Sequence, residues 1–200
     1  MAEVYESATE GITIGLTIDL ELQKVVENEL DNIVSKYEPD NALIIVQDPN
    51  NGEILAMGSR PDFDPNNYKN YDEKTINRNL PIWMTYEPGS TFKIITLASS
   101  LEEKTIDLFK DTFSDSGSVN VEGATLHCWK HGGHGMQTYL QVVENSCNPG
   151  FVSMGLKLGT ERLMNYLDKF GFGEKTGIDL NGEGSGILFK PSNMGPVETA

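Results

Sequence analysis

Apolar and polar positions change rhythm several times along the chain. After Asp19, a residue that suits a helix N-cap, Leu22, Val25, Val26, Ile33, Val34 and Tyr37 recur at helical spacing. Glu27, Asn28, Glu29, Asp31 and Lys36 fall on the other, solvated face. Two β-rich runs follow, Ala42-Leu43-Ile44-Ile45-Val46 and Glu53-Ile54-Leu55-Ala56-Met57, and between them stands Asp48-Pro49-Asn50-Asn51-Gly52. Such runs about an Asn-Gly pair predict a β-hairpin. Arg60 to Tyr71, full of Pro, Asp and Asn, reads as an irregular surface loop.

Pro88 and Gly89 break the chain again, and Ser90 opens a helix that continues through Ile94-Ile95-Thr96-Leu97-Ala98. Residues 111–136 are polar and interrupted by Gly117, Gly123, Gly132, Gly133 and Gly135, too broken for long elements. Leu140, Val142 and Val143 predict a short helix ending near Asn145, and another spans about Phe151 to Leu158. Thr160 then caps a helix from Glu161 to Phe170, with Leu163, Met164, Leu167 and Phe170 inward and Gly171 as its stop. Residues 1–15 read as a linker, and the Gly- and Pro-rich stretch from Gly182 to Ala200 carries no closing element. The expected fold is α+β: a sheet seeded by the hairpin and packed by the first helix, beside an all-helical lobe. That sheet would be incomplete, leaving an exposed edge and apolar surface.

Composition narrows the function classes. Two hundred residues with 38% apolar content support one domain, or two small ones, with a real core. A formal charge of −15 disfavours nucleic acid and anionic membrane surfaces as partners. No apolar run approaches the roughly 18 residues of a membrane span. Met1-Ala2-Glu3-Val4 lacks the basic start and apolar core of a signal peptide, so it reads as a cut boundary from which a natural anchor is missing. Cys128 and Cys147 allow one bridge, two free thiols or a shared metal.

The chemistry centres on Ser90 and Lys93. One helical turn apart, they share a face, and a lysine of lowered pKa is a base that activates a serine hydroxyl. Free N–H groups at the helix start favour developing negative charge, and that of Ser90 suits an oxyanion site. The spacing is the S-x-x-K signature of serine acyl-transfer enzymes that react with β-lactams. Downstream, Ser146-x-Asn148 follows in order.

Around these motifs stand Leu16-Thr17-Ile18-Asp19, the hairpin, Tyr86-Glu87-Pro88-Gly89, and Phe170-Gly171-Phe172-Gly173 with Thr176-Gly177-Ile178-Asp179-Leu180. Together they resemble the transpeptidase domain of class B penicillin-binding proteins from about residue 14 onward. The resemblance implies the penicillin-binding-protein and serine β-lactamase type of fold and D,D-transpeptidation in peptidoglycan cross-linking. Ser90 would be the nucleophile for stem peptides and β-lactams, Lys93 the base, Ser146 the proton relay and Asn148 the group that holds the substrate amide. It implies a location on the outer face of the cell membrane and a membrane glycosyltransferase partner. Lys175-Thr176-Gly177 imitates the family's third motif, but it follows Asn148 by too short a stretch and lies in a segment that the family uses structurally. The resemblance therefore implies that residues 16–200 are the N-terminal part of the domain, inactive or nearly so without the remainder.

A second centre lies in the glycine-rich stretch. Cys128-x-x-His131-x-x-His134, with Asp115 upstream and Cys147 inside the Ser146 motif, supplies donors that suit a closed four-coordinate zinc site. A loop this poor in apolar residues has few other means of holding its shape. Alternation sets Cys147 on the side opposite Ser146 and Asn148. Class B proteins of spore-forming Gram-positive bacteria resemble this stretch, and their pattern selects Asp115, Cys128, His134 and Cys147, with His131 as substitute for Asp115 and His127 pointing elsewhere. The zinc would be structural, with no cofactor for catalysis. A disulfide or unlinked thiols remain open at this stage. Competing functions are a β-lactamase or β-lactam sensor, for which no Glu-containing deacylation loop is evident, and a non-catalytic metal-stapled scaffold with Ser90 as a helix cap.

Overall fold

The computed structural model describes residues 10–200, which form two compact units divided after Met84. Residues 10–15 have no regular secondary structure and are exposed, while the rest of the expected linker, residues 1–9, lies outside the described residues.

In the first unit, the Asp19 carboxylate accepts hydrogen bonds from the Glu21 and Leu22 N–H groups and starts α1 (Leu20–Tyr37). Its core face is narrower than the periodicity suggests. Val26 and Leu30 are buried, whereas Leu22, Val25 and Tyr37 are exposed. The reason is that α1 packs on one face of a two-stranded sheet only. That sheet is β1 (Ala42–Gln47) and β2 (Ile54–Arg60), antiparallel with Ile44 opposite Gly58 and Val46 opposite Ala56. Ala42, Ile44, Val46 and Ala56 form the core with the helix. A Cβ on Gly58 would stand 2.9 Å from Leu30 Cδ1, so glycine there lets α1 approach. Gln23 ties the helix to the sheet edge by donating to Met57 O and accepting from Met57 N. Ile45, on the other face, is exposed, as expected of an incomplete sheet. The loop after β2 is more regular than its composition suggests. Asp64 caps a 3-10 turn over Pro65–Asn70, Asp72 caps α2 (Glu73–Ile76), and α3 (Leu80–Trp83) follows.

The second unit opens with a 3-10 turn, Gly89–Phe92, that runs into α4 (Lys93–Glu102). Ser90 thus sits on a tighter turn just ahead of the α-helix, not on the helix itself. This lobe is not all-helical. Four strands of 4 residues each, β3 (Thr112–Asp115), β4 (Ser118–Val121), β5 (Ala124–His127) and β6 (Gly135–Thr138), pair as β3 with β6 and β4 with β5. The glycines that interrupt the sequence make the turns between them. Next come α5 (Tyr139–Glu144), started by a capping box of Thr138 and Gln141, then α6 (Asn148–Leu158) and α7 (Thr160–Lys169). Gly159, not Thr160, is the N-cap of α7, and the Thr160 hydroxyl pairs instead with that of Thr199. Leu163, Tyr166 and Leu167 are the buried face of α7, and Phe170 is exposed. The tail does close, in α8 (Pro196–Thr199), whose Thr199 carbonyl occupies the space that a Cβ on Gly155 would need. Ile106, Cys128, Tyr139, Val142, Cys147, Phe151 and Met154 form the core of this unit.

Candidate active site and metal cluster

Lys93 is the first residue of α4, and its half-buried amine is held three ways. Nζ donates to Ser146 Oγ at 3.0 Å, to Ser146 O at 2.9 Å and to Asn148 Oδ1 at 2.6 Å. Three donors meet three acceptors, which fixes the ammonium position. Burial lowers the Lys93 pKa, against the pull of the nearby Cys147 and Cys128 sulfurs. The direction is that of an amine prepared to accept a proton.

The backbone explains why Ser146 faces Lys93. The N–H of Ser146 bonds to Val143 O and that of Cys147 to Val142 O, the paired bonds of a Schellman stop to α5. The residue at the turning point of that stop is left-handed, ordinarily glycine, and here it is Ser146 with φ of 47°. Pro149 then restarts the helix at the beginning of α6, where its missing N–H is not needed. Asn148 is oriented from its other end too, because its Nδ2 donates to His127 O at 3.0 Å. Ser90 is exposed on the 3-10 turn, and among the described residues its hydroxyl makes no hydrogen bond to Lys93 or Ser146. The structure therefore joins three of the four expected catalytic side chains and sets the fourth one turn ahead of Lys93.

Behind this arrangement lies the cluster. Asp115 ends β3, Cys128 follows β5, His134 precedes β6, and Cys147 stands between α5 and α6. One donor atom from each lies within 4.8 Å of all the others. His134 Nδ1 is 2.9 Å from Asp115 Oδ2 and 3.4 Å from Cys128 Sγ, and Cys147 Sγ is 3.3 Å from Asp115 Oδ2. A tetrahedral zinc shell spaces such donors about 3.3–3.8 Å apart. Close approach of two loops makes this possible: a Cβ on Gly133 would stand 2.4 Å from Asp115 O. Burial works against charge on Asp115, yet the Gly117 N–H and the His134 side chain hold its carboxyl well below the usual carboxylate range. Burial, helped by that carboxylate, pushes the Cys147 thiol up to about 11. Among the described residues, the fully buried carboxylate between two thiols has no basic partner but the His134 ring, and the donor set fits a divalent ion. His131 and His127 are exposed and lie outside the group.

Two neighbours escaped the reading of the sequence. Trp129 donates its Nε1–H to Asn145 O at 2.8 Å and packs edge-on against His134, ring centroids 5.3 Å apart. Gln137, buried on β6, accepts from Asn145 Nδ2 at 3.1 Å. Adjacency to Cys128 was the only available signal for Trp129, and a polar residue on the inward beat of β6 was the signal for Gln137. Lys175-Thr176-Gly177 stands on no strand. Thr176 and Gly177 donate to the Glu183 carboxylate in an exposed turn.

Residues 42–200 match the family described as penicillin binding protein transpeptidase domain. The chain belongs to that family. It is 57% identical over 199 residues to Stage V sporulation protein D of Bacillus subtilis, a match that covers the whole of this chain and 31% of that protein. To the peptidoglycan D,D-transpeptidase MrdA of Salmonella typhimurium it is 34% identical over 191 residues, 89% of this chain and 29% of the relative. The chain thus spans about a third of the length of these curated relatives. A crystal structure of a peptidoglycan glycosyltransferase from Burkholderia ambifaria shares the fold, with a TM-score of 0.80 at 23% identity over 92% of this chain and 54% of that one. The α+β architecture is that of the penicillin-binding proteins. Among the described residues, no helix is long and apolar enough to cross a membrane.

Proposed function

We propose that this chain is the N-terminal part of a serine D,D-transpeptidase domain, completed by a further segment that carries the third motif. The single observation that carries the reading is the hydrogen-bonded group of Lys93, Ser146 and Asn148 one turn beyond Ser90. In the reaction, the Lys93 amine takes the proton of Ser90, and Ser90 Oγ attacks the carbonyl of the penultimate D-alanine. The Ser146 hydroxyl passes the proton to the leaving nitrogen, and terminal D-alanine departs. An amine of a neighbouring stem peptide then takes the acyl group from Ser90. β-Lactams acylate the same oxygen and stay. Catalytic hydrogen bonds are commonly long before substrate arrives, which accommodates an unengaged Ser90. That same lack of engagement is what favours the rival reading, a metal-stapled scaffold with no nucleophile.

Zinc is part of the proposal. Asp115, Cys128, His134 and Cys147 would hold it, and its role would be to neutralise the buried carboxylate and thiolates and tie the glycine-rich loops to the Ser146 turn. The likeness to a protein named for stage V of sporulation supports a role in spore formation. An extracytoplasmic location, and a membrane glycosyltransferase as partner, complete the proposal.

The deciding experiment incubates the full-length protein with a fluorescent penicillin and maps the adduct by mass spectrometry. Covalent label on Ser90, abolished in Ser90→Ala, supports the transpeptidase. A folded full-length protein that takes no label supports the scaffold instead.

A further inference from the structure

Gln137 is out of place by polarity. It sits on β6 opposite Phe113, nearly fully buried beside an apolar core, with the exposed Met136 as its neighbour on the outward beat. Its Oε1 accepts from Asn145 Nδ2, which sets the orientation of the amide, since an acceptor must face that donor. Nε2 is then turned to the other side, where it has no hydrogen-bond partner among the described residues. The register puts Gln137 on the same face of the β3–β6 pair as Asp115, whose carboxylate is 3.3 Å from the Cys147 sulfur. A buried N–H without a partner is uncommon in a folded protein and calls for an acceptor. A role confined to pinning Asn145 explains the oxygen of this amide and leaves the nitrogen unexplained. A neutral thiol is a weak acceptor, whereas a metal-bound thiolate sulfur is the acceptor that outer hydrogen bonds to metal ligands normally reach.

We propose that Gln137 is a positioning residue: its Nε2–H donates to the Cys147 sulfur of the cation-bound cluster while its Oε1 holds Asn145, so one amide couples the metal ligand to the residue that leads into Ser146. The inference rests on the zinc reading above and goes beyond it, because none of the four ligands has this role. Cys147 and Asn145 flank Ser146 on either side. Gln137 grips both, and with them the left-handed turn that presents Ser146 Oγ to Lys93. Trp129 reinforces the same point from outside through Asn145 O.

The test titrates Co2+ as a spectroscopic stand-in into the full-length protein and its Gln137→Leu variant, following the thiolate-to-cobalt absorption and using a competing chelator to obtain affinities. The leucine variant should bind cobalt about 10–100-fold more weakly, the range for losing an outer partner of a ligand, with its charge-transfer band displaced. Gln137→Glu keeps size and the acceptor for Asn145 but replaces the donor with a negative charge, and it should weaken binding further. It also decides the matter if circular dichroism finds Gln137→Leu misfolded. Wild-type affinity and an unmoved band in the folded variants would overturn the role of Gln137 while leaving the zinc site standing. A wild-type protein that binds neither cobalt nor zinc through its thiols would overturn the zinc reading and this one with it.

Discussion

Asn148 Oδ1 lies 2.6 Å from Lys93 Nζ, the shortest of the three bonds that fix this amine, and the same amide is anchored at its other end to His127 O. Because Cys128 is the next residue after His127, and Cys147 the one before Asn148, both ends of this amide bond stand next to a cluster donor. Asn148→Ala removes a charge-assisted bond of about 1.5–3 kcal/mol and frees the amine. Acylation by labelled penicillin should slow about 10–100-fold in the full-length protein, with the thermal midpoint lowered by a few degrees. Unchanged acylation would remove Asn148 from the site.

The pH dependence follows from the direction of the Lys93 shift. Burial lowers its pKa below that of an ordinary lysine, and only a neutral amine takes a proton from Ser90. The acylation rate should therefore rise with pH and level off, with a midpoint below the ordinary lysine value. Stopped-flow labelling across pH measures it. A midpoint at or above that value would contradict a desolvated base.

Ser146→Gly should separate stability from activity. Glycine occupies the left-handed region without penalty, so the stop of α5 gains about 0.5–1 kcal/mol. The hydroxyl that Lys93 contacts is lost with the side chain. Because the backbone gain offsets part of the lost bond, calorimetry should show a midpoint within a few degrees of the wild type, and labelling should show acylation severely reduced.

Gly133→Ala places a methyl 2.4 Å from Asp115 O at a residue with φ of 78°. Both the contact and the backbone resist it, and the β3 end that carries Asp115 has to move. Thermal midpoint and zinc content, measured by mass spectrometry on purified protein, should fall together. Loss of stability with full zinc content would show that Asp115 tolerates the shift.

Local chemistry made part of the molecule legible from its sequence. The Asp19 cap and the hairpin rest on short-range rules, and both elements stand where those rules put them. The four donors Asp115, Cys128, His134 and Cys147 converge, and the exposed His131 stays out. Failures came where distant packing decides. The inward face of α1 is set by a narrow two-stranded sheet, so Val25 and Tyr37 have nothing to cover them. The short strands of 4 residues pair across glycine turns and are too brief to show alternation. The left-handed Ser146 was invisible because a Schellman stop normally announces itself with glycine, and here a serine whose hydroxyl meets Lys93 stands in that place. Trp129 and Gln137 both meet the site at Asn145, a relation that no periodicity encodes.

Cys128 and Cys147 belong at once to the donor cluster and to the apolar core formed with Tyr139, Val142, Phe151 and Met154. A site whose sulfurs are also core filling takes its shape only as the core closes. Its donors are spread from residue 115 to residue 147 and meet only once both small sheets and the α5–α6 junction have docked. If the cluster holds the proposed cation, binding and folding would be linked, and the ion would stabilise the lobe as well as the site. Removing such a cation would then loosen the core as well as the site, and unfolding the core would release the cation.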